Sequence, residues 1–71
     1  MTPVAVTSWL AVLQQLIALG ASLKDIIVLV RQTLGADDTE AVLAALLDGW
    51  HAAKAENEAR IKELEKQIAE G

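Results

Sequence analysis

The sequence predicts an all-α protein in which an apolar helical hairpin, residues 1–36, is followed by one long helix, residues 37–71. Composition is the first reason. Of the 71 residues, 54% are hydrophobic, almost all of them Ala, Leu, Val and Ile, and Pro3 is the only proline. Such a chain favours helices and has enough apolar surface to fold. The second reason is that Gly20 and Gly35 divide the chain into three helical segments.

The first helix is predicted over residues 6–19, with Thr7 or Ser8 as its N-cap and Gly20 as a left-handed residue after its end. Its apolar side chains cover most of its circumference. One neighbouring helix cannot bury a helix of this kind. The third helix, a second subunit or lipid must therefore cover the remainder.

The second helix is predicted over residues 23–34 and closes at Gly35. Ser22 precedes it and Asp25 follows three residues later, which is a variant of the capping box with a carboxylate at the positive helix end. The connection after Gly20 is short. The first two helices are therefore expected to form an antiparallel hairpin.

The third helix is predicted to begin at Asp37, with Glu40 three residues later, and to continue unbroken to about Ala69. Gly49 lies within this helix, where glycine costs about 1 kcal/mol relative to alanine. Two interpretations of Gly49 remain open. It allows a close helix contact beside Trp50, or it marks a kink between a compact body and a protruding tail.

The C-terminal half of the long helix has the heptad pattern of a coiled coil. Isoleucine at a and leucine at d favour a parallel pair of helices, and a buried asparagine commonly fixes the register. A chain of 71 residues without cysteine is marginally stable alone, so self-association is the supplement that remains. We expect a homodimer or a higher symmetric oligomer. The predicted interface consists of Leu43, Leu47, Trp50, Asn57, Ile61, Leu64 and Ile68.

The charge pattern excludes general nucleic-acid binding. The net charge of −4 divides into +1 over residues 1–34 and −5 over residues 35–71. Nucleic-acid binding requires a basic face, which an acidic chain of this kind lacks. A small anionic ligand held by two or three local cations remains compatible with this balance.

The sequence offers no set of side chains for catalysis, and we expect neither enzymatic activity nor a cofactor. His51 is the only histidine, and the hydroxyls of Thr33 and Thr39 lie at predicted helix ends, where caps and turns explain them. Asp48 and His51 are three residues apart and could share a metal. Two ligands do not make a metal site, so none is predicted.

One group of residues is a candidate binding site for an anionic ligand. Lys24 lies in the first turn of the second helix, where the helix dipole also favours anions. Arg31 is seven residues further and lies on the same face. Trp9 could stack on a planar group, although packing in a core or an interface is the more common role of tryptophan.

A membrane location is the alternative to a soluble one. Residues 1–23 contain no charged residue and are long enough to span a bilayer. Gln14 and Gln15 at the middle of this segment, and the absence of a basic flank, argue against insertion. We expect a cytoplasmic protein, and a small holin-like membrane protein remains the alternative.

The plan of an Ala/Leu-rich hairpin followed by a long charged helix resembles that of many small proteins encoded by phages and prophages. Through Trp9 and Lys24 it also resembles the phage anti-CBASS sponge proteins. This resemblance implies a symmetric oligomer that sequesters a cyclic nucleotide. Trp9 would then stack on a base and Lys24 would hold phosphate, with assistance from Arg31. The first functional hypothesis is nevertheless a non-enzymatic homo-oligomeric interaction or assembly protein, and the nucleotide sponge is the second.

Overall fold

A computed structural model describes residues 2–70, and these residues form four helices and no strand. The prediction of an all-α fold is confirmed. The helix α3 packs against each of the other three, whereas α1 and α4 are not in contact within residues 2–70. The helices are α1 (Pro3–Ala18), α2 (Leu23–Thr33), α3 (Ala36–Ala52) and α4 (Lys54–Glu70).

The helix α1 begins earlier than its sequence predicted. Thr2 is the N-cap, and its hydroxyl accepts a hydrogen bond of 3.1 Å from the backbone N–H of Ala5. Pro3 occupies the first helical position, where a missing N–H costs nothing. The expected cap, Thr7, instead donates its hydroxyl to the carbonyl of Pro3 at 3.0 Å. Proline at the first helical position therefore sets the start of this helix.

The turn between α1 and α2 confirms the expectation for Gly20, which has a φ of 97°. The N–H of Ala21 donates to the carbonyl of Leu16, and the N–H of Gly20 donates to that of Ile17, both at 3.0 Å. These two bonds form the Schellman motif. Ser22 then caps α2, and its hydroxyl accepts from the N–H of Asp25 at 3.2 Å, as predicted.

The prediction of one long helix over residues 37–71 is wrong. Gly35 is the N-cap of α3, and the helix begins at Ala36 and not at Asp37. This cap makes no side-chain hydrogen bond. It ends at Ala52, because Ala53 leaves the helical conformation with φ −121° and ψ 53°. The chain then turns back, and α4 packs on α2 and α3.

Hydrophobic burial explains the turn at Ala53. In a single chain, a straight helix would hold Ile61 and Leu64 in water, whereas in the folded chain they are 4% and 0% exposed. Burying a side chain of this size is worth about 1.5–3 kcal/mol. Residues 51–56 are exposed, so water can satisfy the few backbone groups that the interrupted helix releases. Burial therefore outweighs helix continuity in the single chain.

The core contains side chains from all four helices. Its buried hydrophobic residues are Leu13, Ile26, Ile27, Val30, Val42, Leu43, Leu46, Trp50, Ile61 and Leu64. Gly49 has neither of the roles considered for it. A Cβ atom at Gly49 would meet nothing within 4 Å, and the chain turns at Ala53 rather than at Gly49.

Candidate functional site

An open groove of about 570 Å³ lies between the end of α2, the first half of α3 and the end of α4. Its volume is within the range of small-molecule binding sites, which are mostly apolar with a few placed polar groups. This groove has the same character. It is lined by Arg31, Leu34, Ala36, Thr39, Glu40, Leu43, Ala44, Leu47 and Ile68.

Of the polar residues that line the groove, Thr39 is the one that is buried. Its side chain is 5% exposed, and its Oγ1 atom makes no hydrogen bond within residues 2–70. Two other helical threonines behave differently. Thr7 and Thr33 donate their hydroxyls to carbonyls four residues earlier, at 3.0 Å and 2.8 Å. A buried hydroxyl without a partner costs about 1–3 kcal/mol, so this atom calls for an explanation.

Two opposite charges lie on the rim of the groove. Arg31 is in the last turn of α2, and Glu40 is in the first half of α3. Both side chains are exposed. Within the part of the chain that the structure describes, neither side chain makes a hydrogen bond or an ion pair. The guanidinium of Arg31 is therefore available to an anionic group that enters the groove.

The structure separates the three residues predicted to bind an anionic ligand. Arg31 lines the groove. Trp9 is half-buried on α1 and lines a different, shallow depression of about 160 Å³ together with Ser8 and Val12. Lys24 is exposed in the first turn of α2 and lines neither surface. Within residues 2–70, Trp9 and Arg31 thus line two separate surfaces, and Lys24 lines neither of them.

The predicted oligomer interface is largely used within the chain. Four of its seven residues are in the core: Leu43, Trp50, Ile61 and Leu64. Leu47 is half-buried, Ile68 is 39% exposed, and both line the groove. Asn57 stabilises the turn before α4 by donating its side-chain amide to the carbonyl of Ala53 at 3.0 Å. The α4 part of the heptad seam is therefore folded onto α2 and α3 of the same chain.

The outer face of α1 carries no charged residue, and its exposed side chains are partly apolar and partly polar. Val4 and Leu19 are 76% and 84% exposed, and Val12 is also exposed. The packing of α1 on α2 and α3 thus covers only its inner side. None of the helices in residues 2–70 combines the length and apolar character that crossing a membrane requires.

The sequence pointed to Arg31 but not to the groove that it borders. Thr39 was assigned to a helix end, and no local pattern distinguishes it from Thr33. The groove depends on the return of α4, which brings Ile68 beside Leu47. Comparison of the chain with protein-family models, with curated proteins and with solved structures gave no match.

Proposed function

We propose that this chain is a non-enzymatic binding protein whose groove takes a small amphipathic anion, an aliphatic monocarboxylate. The observation that carries the proposal is the unpartnered hydroxyl of Thr39, buried in the lining of an apolar groove. Such a hydroxyl gains a hydrogen bond when a ligand supplies the partner. A hydroxyl that never found a partner would lower the stability of the folded protein and contribute nothing to binding.

The apolar lining argues for an aliphatic ligand body. Leu34, Leu43, Leu47 and Ile68 form most of the surface, and no aromatic side chain is among the lining residues. Stacking of a nucleobase uses an aromatic or guanidinium plane. The half-buried Trp9 is elsewhere. An alkyl chain fits the groove better than a nucleotide does, and the proposal therefore replaces the sponge hypothesis by a simpler anion.

The rim charges argue for one carboxylate. The guanidinium of Arg31 presents paired N–H donors that match a carboxylate, which a lysine cannot do. Glu40 lies on the same rim and would repel a second anionic group. We place the ligand carboxylate at Arg31. The Thr39 hydroxyl is covered in the ligand-free groove, so it becomes the second donor only when the Thr39 side chain turns toward the ligand.

The test is calorimetric titration of the protein with decanoate, below the concentration at which decanoate aggregates. We expect saturable binding of one decanoate per chain. Arg31→Gln should weaken it about fivefold, since an exposed charged hydrogen bond is worth little more than 1 kcal/mol. Lys24→Gln is the matched control, because Lys24 is on the same helix but away from the groove, and it should leave the affinity unchanged.

Neutral and cationic analogues decide whether the carboxylate matters. Decanol should bind more weakly than decanoate, and decylamine more weakly still if Arg31 rather than Glu40 sets the preference. Tighter binding of decylamine would assign the groove to cations and refute the proposal. Absence of decanoate binding would refute it as well.

Thr39→Val tests the hydroxyl directly. Valine has nearly the same shape but no hydroxyl, so it should weaken decanoate binding about 10- to 100-fold, the worth of one hydrogen bond to a charged group. The same substitution should leave the ligand-free protein as stable as before or up to about 1 kcal/mol more stable, because it removes an unsatisfied group. Thr33→Val is the control, since the Thr33 hydroxyl already donates to the carbonyl of Leu29. If Thr39→Val lowers stability, the hydroxyl has an internal partner and the argument fails.

A further inference from the structure

We infer that two copies of this chain associate by exchanging α4. In each copy the turn at Ala53 straightens, so that residues 36–70 become one helix and α4 packs on α2 and α3 of the other copy. The partner is thus a second copy of this chain, and the surface it fits is the seat that α4 occupies in the closed monomer. This inference does not rest on the proposed ligand.

The sequence at the turn favours a straight helix. Ala53 is the one residue between α3 and α4 that is not helical, and its neighbours are Ala52 and Lys54. These are residues of high helix propensity. Residues 50–70 contain neither glycine nor proline. The backbone at Ala53 therefore has the helical conformation available without strain.

Few interactions hold the turn closed. The N–H of Ala53 donates to the carbonyl of Trp50 at 3.2 Å, and the N–H of Glu56 donates to the carbonyl of Ala53 at 3.1 Å. The amide of Asn57 donates to the carbonyl of Ala53 at 3.0 Å. A straight helix replaces the backbone bonds with its own regular ones. The turn itself is on the surface, with residues 51–56 exposed, so no buried side chain holds it closed locally.

The packing of α4 is what keeps the chain closed, and a second copy can supply the same packing. Ile61 and Leu64 are buried against α2 and α3, and α4 does not contact α1 within residues 2–70. Each seat accepts an α4 from either copy with the same contacts. In the exchanged pair, the groove would be completed by Ile68 of the partner copy.

An opened chain cannot cover its own α4. A straight helix of 35 residues is about 52 Å long, whereas the closed molecule measures 29 Å along its longest axis. Opening therefore exposes Ile61, Leu64 and their seat together. A second opened copy buries all of these surfaces again, which is the general route of domain swapping. We expect two populated states, the closed monomer at low concentration and the exchanged dimer at high concentration.

The experiment measures the monomer–dimer equilibrium by light scattering after chromatography, on protein refolded from denaturant at low and at high concentration. The wild-type chain should give the 7.6 kDa monomer and a dimer of twice that mass. Ala53→Gly disfavours the straight helix at both hinges of the dimer, so it should raise the dimer dissociation constant about 30-fold. Ala55→Gly is the matched control. Residue 55 is helical in the closed and the exchanged form, so this variant should leave the dissociation constant unchanged.

Each other outcome overturns the inference. If the two glycine variants shift the equilibrium equally, the dimer forms without straightening at Ala53. If no dimer appears after refolding at millimolar concentration, α4 is not exchanged. Neither result bears on decanoate binding, which is measured on the monomer at low concentration, so the two proposals fail separately.

Discussion

At the scale of single residues, positions that are equivalent in a heptad pattern have different surroundings in this fold. Leu64 and Ile68 are consecutive d and a positions of the predicted seam, yet Leu64 is 0% exposed and Ile68 is 39% exposed. A coiled coil between two straight helices would bury both. The closed chain buries Leu64 in its core and leaves Ile68 at the edge of the groove.

Truncation of these two residues is therefore expected to have unequal effects. Leu64→Ala should lower the free energy of unfolding by about 2–5 kcal/mol, because it removes fully buried methyl groups and leaves a cavity. Ile68→Ala should cost well under half as much. Urea denaturation of both variants measures the difference. Equal losses would indicate that Ile68 is buried in solution, as the coiled-coil seam requires.

At the scale of the helices, capping residues set the helix ends, and only some of these residues can be recognised in the sequence. The cap of α2 by Ser22 and the left-handed Gly20 were predicted and are present. The starts of α1 and α3 were placed too late. Thr2 is the N-cap of α1, and Gly35 is the N-cap of α3. In each case a residue that can also cap a helix, Thr7 or Asp37, follows a few positions later and was predicted instead.

The two glycines at residues 20 and 49 should respond oppositely to alanine. A Cβ atom would meet nothing within 4 Å at either position, but only Gly20 has a positive φ. Gly49→Ala should raise the free energy of unfolding by about 1 kcal/mol, through helix propensity. Gly20→Ala should lower it by about 1–2 kcal/mol, through the left-handed backbone. Urea denaturation measures both values. Destabilisation by Gly49→Ala would reveal a helix contact at Gly49.

At the scale of the whole molecule, α3 is the element that holds the others together. It packs against α1, α2 and α4, and it contributes four of the ten hydrophobic residues that are buried within residues 2–70. The Cα radius of gyration is 11.3 Å, close to the value of about 11 Å that a compact domain of this length has. The chain closes on itself and needs no second copy to bury this core.

Small-angle scattering at low concentration should accordingly report a compact particle. We expect a Guinier radius a little above 11.3 Å, since hydration adds to the Cα value. Raising the concentration should increase both the apparent mass and the longest dimension, because each exchanged helix is about 52 Å long. A radius far above the compact value at the lowest measurable concentration would show that the closed monomer is not populated.

The amino-acid sequence by itself determined that this protein is helical, because composition, capping residues and breakers act over a few residues. It predicted the all-α class, the turn at Gly20 and the cap at Ser22. It could not predict the turn at Ala53, since alanine and lysine favour a continuous helix there. Only the tertiary structure decided that turn, because the burial of Ile61 and Leu64 on α2 and α3 outweighs the local preference. The groove is completed only because α4 returns to the body of the molecule and contributes Ile68 to its lining.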